Sequence, residues 1–192
     1  MLRKNFENSI NENIKLKLEL LKLRPIVEKT ISLISKSLKN NGKIIFCGNG
    51  GSAADAQHLV AELLIRLRPK INRRSLPAIS LALDTSTLTA CGNDFNFEHI
   101  FSRPLESLGK KNDVLIAIST SGNSKNIINA LKLARKIGIK TIGFLGSGGG
   151  IAKKYCDVSL IVPSNKTARI QECHIFLGHH ILESVENNMF NK

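Results

Sequence analysis

Six consecutive residues in this sequence carry four hydroxyls: Ser119-Thr120-Ser121-Gly122-Asn123-Ser124. Before them runs Val114-Leu115-Ile116-Ala117-Ile118, an unbroken apolar stretch that reads as a strand buried on both faces. After them, Ile127 to Ala134 has helical spacing. The hydroxyls therefore sit on a strand-to-helix turn, where a helix start exposes unpaired N–H groups and the positive end of its dipole. No carboxylate lies among them, so hydroxyls and N–H groups together form a cradle for a phosphate. A plain helix cap would use one serine. Four hydroxyls and a glycine favour the anion.

Two further groups suit proton or metal chemistry. His58 and Glu62 stand four apart on a helix-patterned run and share a face. Such a pair can ligate one ion, work as acid and base, or form an ordinary surface pair. Near the C-terminus, Thr167 to Met189 reads as one long helix holding Gln171, Glu172, His174, His179 and His180 among apolar residues. At about 100° per residue, His179 lies about 80° from Gln171, His174 about 60°, and His180 on the far side. Gln171 can share a site with His174 or with His179, and spacing does not choose between them.

Gly48-Asn49-Gly50-Gly51-Ser52-Ala53 fits the G-x-G-x-x-G/A pattern of dinucleotide sites. That pattern also wants an acidic residue about twenty positions on. Here Asn72, Arg73 and Arg74 occupy the region, and arginines suit a 2′-phosphate. A dinucleotide would leave Ser119 to Ser124 without a role. The competing reading is that the glycines let backbone N–H groups approach a sugar or phosphate closely.

The elements that must position these residues alternate along the chain. Asn8 to Leu23 and Ile26 to Leu38 are helix-patterned, with Pro25 between them. Strands are expected at Lys43 to Cys47, Ala78 to Leu83, Asp113 to Ile118, Lys140 to Leu145 and Val158 to Val162. Helices are expected at Ala53 to Leu67, Thr87 to Cys91 and Glu98 to Leu108, with turns at Gly92-Asn93-Asp94 and Gly146 to Gly150. This order predicts an α/β fold, a doubly wound parallel five-stranded sheet flanked by helices, in one domain over residues 1–192. The N-terminal helical segment, residues 1–40, is free to pack on the outside or on a sister subunit.

Composition agrees. The chain has 192 residues, 42% of them hydrophobic and 22% charged, which is ordinary for a globular protein with a full core. No run approaches the roughly 20 apolar residues of a membrane span. The N-terminus lacks an apolar signal core, and the four scattered cysteines contain no CxxC pair, so a cytoplasmic protein with reduced thiols is expected. The net charge of +13 raises nucleic acid as a partner. The lysines are spread along the chain, however, and Trp is absent, so an anionic substrate and a Lys-rich surface explain the charge without it.

With these residues in place, the chain resembles the sugar isomerase (SIS) domain family, and within it the branch that acts on heptose phosphates. The matching stretches are Cys47 to His58, Ala61-Glu62-Leu63, Gly92 to Phe95, Ile100 to Arg103, Ile118 to Ser124, and Arg169 to Glu172 with His174 and His179. They span nearly the whole chain. The resemblance implies isomerisation of sedoheptulose 7-phosphate to D-glycero-D-manno-heptose 7-phosphate, the opening step toward ADP-heptose for lipopolysaccharide core or other surface glycans. It implies that Ser119, Thr120, Ser121 and Ser124 hold the phosphate and that Asn49, Gly50, Gly51, Ser52, Asn93, Asp94 and Gln171 contact the sugar beside Glu62. Glu62 and His179 would be the acid–base pair, and His58, Glu62, Gln171 and His179 a zinc site. It further implies a homotetramer with sites between subunits. One departure is Ile65, where the pattern has a small residue, often glycine. Other members of the fold bind the replication initiator DnaA or sense sugar phosphates without turnover, which is the alternative reading.

Overall fold

The computed structural model describes residues 2–190. Two helices lead, α1 (Leu2–Glu19) and α2 (Arg24–Lys39), joined by a 3-10 turn over Leu20–Leu23. Pro25 does not sit between the helices as the sequence suggested. It lies in the first turn of α2, where its missing N–H would have had no partner.

Then come β1 (Ile44–Gly48), α3 (Gly51–Leu64), β2 (Ala78–Ser80), α4 (Thr85–Asp94), α5 (Ser102–Leu108) and β3 (Val114–Ser119). The chain ends with α6 (Lys125–Lys136), β4 (Lys140–Leu145), β5 (Val158–Ile161) and α7 (Thr167–Phe190). The five strands form one parallel sheet in the order β2-β1-β3-β4-β5. Two differences from the expected elements bear on the site. β2 is three residues long, and α4 runs on through Asn93-Asp94, where a turn was expected.

Helices cover both faces of the sheet, which is why the central strands read as continuous apolar runs. Ile44, Phe46, Ile116, Ile118, Ile142 and Phe144 point into a core shared with α2, α3 and α7. Their neighbours Ile45, Cys47, Leu115, Ala117 and Leu145 point into a second core with α5 and α6. The strand order reverses between β1 and β3, so the turns leaving these two strands flank a crevice at the sheet's carboxyl edge. These are the glycine turn at Asn49 and the hydroxyl turn at Ser119.

α3 and α7 run parallel and close. A Cβ on Gly178 would lie 2.7 Å from Leu59 Cδ2, so only glycine permits this approach. Further along the pair, Glu186 is buried at 2% side-chain exposure between Arg68, at 2.7 Å, and Arg73. Arg73 also donates to the carbonyls of Glu62 (2.7 Å) and Leu63 (3.0 Å), capping the end of α3. Arg73 is thus engaged in the fold and does not await a 2′-phosphate.

His174 is fully buried on α7 and belongs to this packing rather than to the site. Its Nε2–H donates to the Leu145 carbonyl at 3.1 Å, which leaves a bare Nδ1 lone pair with no partner. Burial drives its pKa down to about 4, against the opposing pull of that carbonyl. The unfolded imidazole titrates near 6.5, so the unfolded chain takes up the proton first as pH falls. Stability supplied by the neutral ring is complete above about pH 6.5 and fades toward pH 4, by about 3 kcal/mol in all. His174→Gln keeps a donor to Leu145 but cannot titrate. In urea unfolding followed across this range, wild type loses about 3 kcal/mol more than the variant; parallel curves would refute the assignment.

Candidate functional site

The hydroxyl turn is closed from within. Ser119 is buried, its Oγ accepts the Gly122 N–H at 3.1 Å, and it lies 3.4 Å from Ser124 Oγ. Ser121 Oγ accepts the Asn123 N–H at 3.1 Å. Ser124 occupies the cap position of α6, yet its side chain makes no cap bond. The plain-cap reading therefore does not account for it, and its hydroxyl stays available to a ligand beside Thr120 and Ser121.

A second loop braces this turn from outside. Gly122 has φ +65°, and a Cβ there would lie 2.1 Å from the Gly149 carbonyl oxygen. Ala152 N–H donates to Gly122 O at 2.8 Å, and Ile151 N–H donates to Asn123 Oδ1 at 3.0 Å. The glycine-rich connection after β4 is thus backing for the hydroxyl turn, a role that its sequence does not announce.

At the glycine turn, Gly50 has φ +55° and ψ −122°, a conformation only glycine adopts readily. A Cβ on Gly51 would meet Gln171 Nε2 at 2.4 Å, so the Gln171 amide lies directly over the start of α3. Ser52 is buried, with its N–H bonded to Asn49 O at 3.0 Å. The Asn49 side chain pairs with Asn126, near the start of α6.

Two turns of helix beyond Gly51, the reactive side chains meet. His58 Nε2 lies 2.8 Å from His179 Nε2 and 3.3 Å from Glu62 Oε1. The structure resolves the choice left open by spacing, bringing in His179 and sending His174 to the core. Ligand atoms of His58, Glu62 and His179 all fall within 4.8 Å of one another. Two ring nitrogens facing each other need a proton or a cation between them.

Beside them Asp55 is half-buried, and its Oδ2 is buried with no partner. Burial raises its carboxyl pKa, while His58 and His179 pull the other way. Two imidazoles and the Glu62 carboxylate are a donor set that fits a divalent cation, with the orphaned Asp55 oxygen beside it. Asp55 is the site residue that sequence reasoning missed, although its place three residues before His58 puts it on the same helix face.

Gln171 is eight residues before His179, about 12 Å along the helix axis, at the glycine-turn end of the α3–α7 pair. Asn93 and Asp94 are exposed on the last turn of α4, where Asn93 Nδ2 donates to Asp94 Oδ1 at 2.9 Å. Among the described residues, no hydrogen bond joins that pair to the histidine cluster.

The brace on the hydroxyl turn is open to direct test. Gly122→Ala must either abandon the positive φ or push back Gly149, and both reshape the cradle. Affinity for inorganic phosphate, measured by calorimetry, should fall at least about tenfold, the weight of one to two hydrogen bonds to a charged group. Unchanged affinity would show that the turn does not bind the anion.

The match to the SIS domain family covers residues 11–146. The chain is 48% identical to a phosphoheptose isomerase of Clostridium acetobutylicum, across 98% of this chain and 97% of the relative. Among solved structures, the phosphoheptose isomerase of Neisseria gonorrhoeae superposes with a TM-score of 0.91 at 41% identity, over 97% of this chain and 100% of the other. That of Francisella tularensis gives 0.93 at 32% identity, over 97% and 99%. By this match and these identities, the chain belongs to the SIS-domain phosphoheptose isomerases.

Proposed function

We propose that this chain interconverts sedoheptulose 7-phosphate and D-glycero-D-manno-heptose 7-phosphate, the step that commits heptose to surface-glycan synthesis. The observation that carries the reading is the meeting of His58 and His179, 121 residues apart in sequence, next to Glu62, in a chain that also presents an acid-free hydroxyl turn at the start of α6.

The chemistry asks for little more. A ketose becomes an aldose when a proton leaves C1 and one is delivered to C2, through an enediol. One group takes the carbon-bound proton and another protonates the carbonyl oxygen. Glu62, at 17% side-chain exposure, is shielded enough to act as the base, and His179 supplies the acid. Thr120, Ser121 and Ser124 hold the phosphate against the start of α6, while the glycine turn at Gly50 and Gly51 lets the sugar approach the backbone closely. His58, Glu62 and His179 would hold a zinc ion, which polarises a carbonyl when bound. Gln171, over Gly51, serves the sugar in this arrangement.

Assembly follows from the N-terminal segment. Phe6, Ile10, Ile14 and Leu18 recur every four residues on α1, and all are exposed. They continue through Leu21 to a groove of about 500 Å³ lined by Leu20, Val27, Ile31 and Phe176. An apolar stripe of this length calls for burial against another copy, as in a homotetramer. Among the described residues no helix is long and apolar enough to cross a membrane, and all four cysteines are unpaired, which suits a cytoplasmic enzyme. The DnaA-binding alternative has no need of an intact acid–base pair.

Purified protein with sedoheptulose 7-phosphate should form the aldose, and Glu62→Gln should lower kcat by about 10²–10⁴. A loss smaller than about tenfold would remove Glu62 from the role of base. Dialysis against a chelator should strip zinc measurable by elemental analysis and abolish turnover, with recovery on adding zinc back. Full activity in the metal-free protein would overturn the metal half of the reading and leave the acid–base pair standing.

A further inference from the structure

We infer that Asn126 is a positioning residue for the reaction, holding the phosphate cradle at a fixed distance from the acid–base pair. This rests on the isomerase reading. Asn126 is 2% exposed and is the second residue of α6, directly after the hydroxyl turn. Its Nδ2 donates to Asn49 Oδ1 at 2.8 Å, and Asn49 Nδ2 donates back to its Oδ1 at 2.9 Å. The same Oδ1 accepts the Ile127 N–H at 2.9 Å, a free donor of the first turn that Ser124 leaves unserved.

The two amides thus form a closed pair across the point where strand order reverses. Asn126 belongs to the element that grips the phosphate. Asn49 heads the turn that opens α3, and α3 carries His58 and Glu62. This is the direct side-chain link between the two turns, and it is dry on the Asn126 side. Each amide spends its oxygen and one N–H on the other. Asn49 therefore offers the sugar its second N–H and the shape of its turn.

A link of this kind acts on geometry. The cradle is also held by Ser119 and by the loop behind Gly122, so losing Asn126 leaves the phosphate a place to bind. What is lost is the alignment of the far end of the sugar with Glu62, and misplacement by about 1 Å can cost about 10²-fold in rate.

The test is Asn126→Ala, read as kcat for sedoheptulose 7-phosphate beside the inhibition constant of inorganic phosphate. The expected result is a fall in kcat of about thirtyfold or more with phosphate inhibition within about threefold of wild type. Asn49→Ala should do the same, and the double variant should be no slower than the worse single one, since both break one link. If Asn126→Ala does not fold, Asn126→Ser replaces it: its hydroxyl can still accept the Ile127 N–H while the pair with Asn49 is lost, and it should show the same split. Unchanged kcat, or kcat and phosphate affinity falling together, or multiplicative effects in the double variant, would each overturn the assignment while wild type still turns over. No turnover by wild type would bring down the isomerase reading, and this inference with it.

Discussion

The site depends on the close, parallel packing of α3 against α7. Gly178 allows it, because any side chain there would strike Leu59. Overpacking such a contact costs about 1–3 kcal/mol in typical cores. Here it would also separate the imidazoles of His58 and His179, which face each other across 2.8 Å. The lock at the other end is ionic: Glu186 is buried between Arg68 and Arg73. A buried carboxylate with two guanidiniums is weak evidence for net stability, since desolvation offsets much of the attraction. Its effect is on register. Arg73 ties the end of α3 and the loop beyond it to one point on α7, so the helices cannot slide by a turn and carry His179 past His58.

The sheet contributes the other fixed distance. Parallel strands that change order at β1 and β3 must leave a crevice, and both turns that border it are built from residues with small or hydroxylic side chains. Glycine is required at Gly50 by backbone conformation and at Gly122 by both conformation and the approach of Gly149. The cradle is therefore formed before any ligand arrives. In the proposed reading, positive backbone groups at the start of α6 and the basic balance of the chain attract the phosphate, and the two turns set where it sits.

Much of this is legible in the sequence, for reasons that differ by element. The strands are visible because burial on both faces makes them apolar without interruption, as in Val114 to Ile118. The hydroxyl turn is visible because its composition exceeds what a cap needs. β2 is shorter than its pattern: Leu81 and Ala82 are buried and the Leu81 N–H still bonds the Phe46 carbonyl, but the chain then turns away and leaves Leu83 exposed. Pro25 reads as a break, although the first turn of a helix tolerates it. His179 cannot be separated from His174 by spacing, because both angles suit a site and only tertiary contact decides which ring meets α3 and which meets Leu145. Asn126 carries no signal at all, and Asn123 and Gly149 are visible as turn residues without their partners. Their roles come from contacts between turns, and a linear pattern does not encode which turns will touch.

A division of labour follows from these two constraints. The phosphate is a handle remote from the carbons that react, and binding energy gained there is useful only if it is converted into alignment at C1 and C2. A flexible connection between the two ends would tighten binding without hastening the reaction. In this chain the connection is short and stiff. It runs from the cradle through Asn126 to Asn49, from Asn49 through the glycine turn into α3, and along α3 for two turns to His58 and three to Glu62. In the proposed reaction, the position of the phosphate is passed to Glu62 along this path. The packing of α7 then supplies the partner ring at the place where that transmitted position ends.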